Sequence, residues 1–178
     1  TTLEYNEMNN KFTTRHGFHP NIILNFASRT LYNYSPTDSG DTSNYNKLYV
    51  HDEGVRGQLF GVNQNTTLKF VANPNLGVTK YFHNGRLNVN ESGVSLVSQV
   101  DLATQNLPTQ SVVLNNAVVD NRPITLEGTL RYPMMQINQS QRLRDKYVTA
   151  EFTITNDGSD KLVDITSHET LWQPSAKL

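Results

Sequence analysis

The chain has no cysteine among its 178 residues. That excludes disulfides, thiolate nucleophiles and cysteine-ligated metal sites together, although a protein without cystines can still be exported. Charge is scarce as well: 17% of residues are charged and the formal net charge is −1. Such a chain has no global field to draw nucleic acid or an anionic membrane, and its basic residues do not cluster with aromatics. No apolar run is long enough to span a bilayer. Catalytic signatures are missing too. There is no Gly-x-Ser-x-Gly elbow, no phosphate loop, no His-Glu-x-x-His and no calcium loop with its closing Glu. The expectation is a non-enzymatic protein without a cofactor.

The chain is nevertheless polar, and its polarity comes from Asn, Thr and Ser. Strands and turns with hydroxylated outer faces are written this way, whereas soluble helices spend Glu, Lys, Ala and Leu. The four Asn-x-Ser/Thr sequons, at Asn33, Asn65, Asn90 and Asn138, are what this composition yields by chance. The chain starts at Thr1 without Met or a charged-then-apolar leader, which reads as a processed or trimmed chain.

Periodicity is clearest at Tyr147–Ile154. From Val148 every second residue is apolar (Val148, Ala150, Phe152, Ile154), so one face meets a core and the other meets water. Asn156-Asp157-Gly158-Ser159-Asp160 ends the run with a turn signal. Further strands are expected at Asn21–Phe26, Lys47–His51, Val55–Val62, Thr66–Ala72, Val78–Phe82, Arg86–Val89, Val94–Leu102, Ser111–Val119, Ile124–Arg131 and Leu162–Thr166. His83-Asn84-Gly85 predicts a tight hairpin, because Asn and Gly both tolerate positive φ. Helix signals are poor, the nearest being Gln136–Lys146, and Ser35–Asn46 reads as one exposed loop. Many short strands at regular spacing predict an all-β fold, an antiparallel β-sandwich of Ig-like type, with a jelly-roll as second choice. The division expected is a sandwich domain over 1–156, then a turn and a C-terminal strand over 157–178.

Candidate chemistry is thin. Asp38–Asn44 has scattered oxygen ligands without calcium-loop spacing, so a solvated loop is the default. His16 and His19 are three apart and would diverge on a strand, so no metal site is expected there. The carboxylates of His51-Asp52-Glu53 and Glu169 have no nominated catalytic partner. Exposed aromatics remain. Tyr32, Tyr34 and Tyr45, in or beside the polar loop, are candidate glycan contacts by stacking on sugar rings, and packing at a strand end is the plainer alternative for Tyr32 and Tyr34.

The stretch Lys146–Asn156 resembles the closing strand of chaperone–usher fimbrial subunits, and Phe18–Leu24 is similar to an early strand of the same family. That resemblance implies an incomplete Ig-like sandwich lacking one edge strand, completed by a strand from a neighbouring subunit. It implies an extracellular, cell-surface fibre protein with an adhesive role, whose partners are like subunits, a periplasmic chaperone and a host glycan or receptor. Val148, Ala150, Phe152 and Ile154 would line the groove beside the missing strand. Val163, Ile165 and Leu171 would be inserted residues of a C-terminal donor strand, although Ser167 and Glu169 share their face and break the apolar pattern. An ordinary last strand or a partner-binding tail would also account for this segment. Two other functions stay open: a carbohydrate-binding module, and a viral or phage coat subunit.

Overall fold

The computed structural model describes residues 2–16, 20–27, 29–33, 47–50, 53–114, 118–119, 122–123, 125–135 and 142–175. Two compact units divide the chain, Thr1–Val62 and Asn63–Leu178. In the first, β1 (Thr2–Asn6) and β2 (Lys11–His16) form an antiparallel hairpin. Its turn closes at Asn10 with φ 51°, a conformation that Asn adopts at low cost. β3 (Ile23–Phe26), β4 (Arg29–Asn33) and β5 (Leu48–Val50) make an antiparallel sheet in that order, with Ile23, Tyr32 and Tyr49 in one cross-strand row. At the unit boundary β6 (Gln58–Leu59) and β7 (Val62–Asn63) form a short hairpin. Its turn residues Phe60 and Gly61 have φ 53° and 77°, the positive pair that a type I′ turn requires. The single strand expected at Val55–Val62 is therefore folded back on itself.

The second unit contains β8 (Thr66–Ala72), β9 (Lys80–Val89), the single-turn helix α1 (Glu91–Val94), β10 (Val97–Thr104), β11 (Gln110–Val113), β12 (Val118–Val119), β13 (Arg122–Pro123), β14 (Thr125–Leu126), β15 (Thr129–Pro133), β16 (Leu143–Asp145), β17 (Val148–Ile154) and β18 (Ile165–Pro174). One sheet runs β11-β10-β17-β8. The other is centred on β9, with β15 and β16 along one edge, β18 along the other, and β14 outside β15. β12 and β13 pair only with each other among the described residues. Among the described residues these ladders are all antiparallel. Val100, Leu102, Ala150 and Phe152 from the first sheet meet Phe82, Leu87, Leu130 and Leu143 from the second in one buried core. The fold is thus the all-β antiparallel sandwich that the alternation predicts. The helix candidate Gln136–Lys146 ends instead in β16, and the loop assigned to Ser35–Asn46 lies outside the described residues.

The expected hairpin at Asn84-Gly85 does not form. β9 runs through both residues as one strand. Its ladder to β18 slips between Leu171 and Trp172, which pair with Asn84 and Phe82 and leave His83 unmatched. The slip is a β-bulge, and it changes the phase of β9: Lys80 and Phe82 face inward before it, and Gly85, Leu87 and Val89 after it. Glycine is required at 85 for space, not for a left-handed turn. A Cβ there would sit 2.0 Å from Cζ of Tyr132, the residue directly opposite on β15.

Tyr132 is itself only 2% exposed and has nowhere to retreat. Gly85→Ala is therefore expected to cost about 1–3 kcal/mol by overpacking. Thermal unfolding checks it: the midpoint should fall by several degrees, and the same substitution should cost clearly less in a Tyr132→Ala background.

Candidate functional site

The sandwich is tied at its centre by aromatic rings from both sheets. The Tyr132 side chain passes over Gly85 and reaches β18, where its hydroxyl lies 2.7 Å from Nε2 of His168. The imidazole stacks on Phe70 of β8 with centroids 4.8 Å apart and planes 16° from parallel. Phe152 of β17 meets Tyr132 and His168 edge-on, each at 5.6 Å. Burial pushes the Tyr132 phenol up, so it keeps its proton. Burial also lowers the His168 imidazole, with the Glu169 carboxylate opposing more weakly. Two neutral groups thus share a partly buried hydrogen bond, and each satisfies the other where water has little access.

The residues assigned to a subunit groove lie elsewhere than beside a gap. Val148, Ala150 and Phe152 are buried and Ile154 packs against the core, but β17 is paired on both edges, with β10 and β8. In the C-terminal segment Val163 and Ile165 pack on the core, whereas Leu171 is 62% exposed. The reason is a second register shift, between Ile165 and Ser167. After it His168, Thr170 and Trp172 face inward, while Ser167 and Glu169 turn outward to Asn88 and Arg86 of β9. The strand's approach is latched by Asn90. Its Oδ1 accepts from the Asp164 N–H (2.8 Å), and its Nδ2 donates to the Leu162 carbonyl (2.7 Å).

Sequence reasoning missed two further buried polar groups. Lys80 is fully buried, and its ammonium donates to Asn73 Oδ1 and to the Val78 and Lys146 carbonyls, so its three N–H bonds meet three acceptors. Asp145 is buried one strand away. Burial pushes its carboxyl up, but hydrogen bonds from Lys146, Thr104 and Asn106 prevail and hold it below the usual carboxylate range. No sequence signal marked either residue, since a charged residue in a strand normally reads as an outward position.

In the first unit Tyr32 lines a pocket of about 370 Å³ together with Tyr49, Val50, Glu53, Gln58 and Phe60. Phe60 is 7% exposed and meets the Tyr49 ring edge-on at 5.3 Å. Glu53 pairs with Arg29 Nε at 3.3 Å. Tyr34, Tyr45, His19, His51, Asp52 and the Asp38–Asn44 loop lie outside the described residues, as does the side chain of His16. Among the described residues no three His, Cys, Asp or Glu side chains gather where they could hold a metal ion. No helix among them is long and apolar enough to cross a membrane.

The second unit defines the class: an antiparallel β-sandwich domain whose centre is built for packing. The chain belongs to the Crassvirus muzzle protein C-terminal domain family, whose model matches residues 54–172, about two thirds of its length. No curated protein matches the chain. The family match overturns the resemblance to chaperone–usher fimbrial subunits, because it spans the very strand that carried that resemblance. The fimbrial fibre and adhesive roles that the resemblance implied fall with it.

The His168–Tyr132 pair has a pH signature. An unfolded chain takes up a proton on His168 near pH 6.5, while the native chain resists. Stability should therefore decline as pH falls from about 6.5 towards the lowered native value, and this contribution should level off below it. Denaturant unfolding at stepped pH checks the slope, which should flatten in His168→Phe. Tyr132→Phe or His168→Phe alone is expected to cost about 1–3 kcal/mol, and the double substitution less than the sum, because no polar group is then stranded.

Proposed function

We propose that this chain is a structural, non-enzymatic component of a phage particle. The family match over residues 54–172 carries the reading. It is supported by a sandwich whose inward polar groups at Tyr132, His168, Lys80 and Asp145 are all engaged in hydrogen bonds to neighbouring strands and loops. A structural subunit works by keeping its shape against neighbours, and these contacts supply shape. Surfaces for neighbours are available in the first unit. There Ile23, Leu24 and Phe26 of β3 are 50%, 46% and 74% exposed, an apolar strand of the kind that marks a contact surface.

Quantitative mass spectrometry of gradient-purified particles of the encoding phage tests this reading. The chain is expected in every particle preparation, at a fixed ratio to the other structural proteins. Abundance in infected-cell lysate together with loss from purified particles would rule the reading out.

A further inference from the structure

We propose that the first unit binds a neutral pyranose sugar in the pocket formed by Tyr32, Tyr49, Phe60, Glu53 and Gln58. The pocket holds about 370 Å³, within the range of small-molecule sites, roughly 300–1,000 Å³. Tyr32 and Tyr49 are directly opposite on β4 and β5, so the ladder itself puts their side chains on the same face. Both are only partly buried, which leaves ring surface at the pocket.

Phe60 extends the aromatic wall at a conformational cost. It sits at φ 53°, a region that a bulky side chain seldom occupies, and is held there by burial and by its edge contact with Tyr49. Gly61 follows with φ 77°, and the Tyr49 ring lies against it, 3.7 Å from where a Cβ would be.

The polar lining selects the ligand class. Glu53 offers carboxylate oxygens and Gln58 an amide that both donates and accepts. A wholly apolar ligand would desolvate these groups without replacing their hydrogen bonds. An anion would meet the Glu53 carboxylate, and a cation would compete with Arg29, which already pairs with it. A pyranose fits both halves: its C–H face lies on tyrosine rings, and its hydroxyls donate to the Glu53 carboxylate and both donate to and accept from the Gln58 amide.

The test is saturation-transfer NMR on the whole chain with glucose, galactose, mannose and N-acetylglucosamine, and with sialic acid as the charged control. At least one neutral sugar should receive saturation, strongest on its ring C–H protons, with affinity in the millimolar range. Gln58→Ala and Glu53→Gln should lower affinity about tenfold, with thermal unfolding of each variant measured beside it to separate lost binding from lost fold. Tyr49→Ala should abolish the signal; should it also unfold the unit, the Gln58 and Glu53 variants decide. The proposal is overturned if no neutral sugar receives saturation, if sialic acid binds more tightly than all four, or if both polar variants bind as the parent does.

Discussion

A tyrosine laid across a glycine is the contact on which the second unit depends. Strand β9 lies at the centre of its sheet, and any side chain at position 85 would occupy the space that the Tyr132 ring fills. With glycine there, Tyr132 spans from β15 across β9 to His168 on β18, so one side chain links three neighbouring strands. Phe70 and Phe152 from the opposite sheet close on the same two rings. The point that ties one sheet together is therefore also the point where the two sheets meet. Net, a buried hydrogen bond contributes only about 0.5–1.5 kcal/mol, but losing one partner strands the other and costs more. That asymmetry makes the pair specific, because shifted registers of β18 would leave a phenol or an imidazole unsatisfied.

Two bulges supply the phase that this contact needs. Without the shift after Ile165, strict alternation would carry Ser167, Glu169 and Leu171 into the core and leave His168 in water. With it, the outer face becomes a polar ladder, Thr129 to Asn88 to Ser167 and Arg86 to Glu169, while Trp172 reaches the core beside the Lys80 ammonium, 5.8 Å from its ring. The exposed ion pairs, Arg86–Glu169 here and Lys69–Glu151 at 3.0 Å on the other sheet, add little stability and serve to keep those faces wet.

The elements legible in the sequence are those where local pattern and tertiary role agree. β8 and β17 alternate cleanly, and their predicted spans match the strands to within a residue or two. Asn84-Gly85 misled because the dipeptide fits a I′ turn equally well, and what excludes the turn is a tyrosine 47 positions later in the chain. The inward positions of β18 were hidden because a bulge resets parity and leaves no local mark. The hairpin of β1 and β2 escaped notice as well, since Thr2–His16 lacks the alternation of a half-buried strand. The fimbrial resemblance failed for a related reason: four alternating apolar residues describe the middle strand of any antiparallel sheet and say nothing about whether its edge is free. In the first unit Tyr32 was singled out as an aromatic beside a polar loop, but its companions Tyr49 and Phe60 come together only through the ladder and the turn.

The central claim is that β18 is a permanent strand of the sandwich, locked by Tyr132 and His168. Amide hydrogen exchange on the whole chain tests it most directly. The β18 amides that donate to β9 should exchange at the slow rate of the β9–β15 and β10–β17 ladders, in one cooperative opening. Rapid exchange along β18, with those ladders still protected, would show a strand that leaves its sheet while the sandwich stands, and would contradict the account.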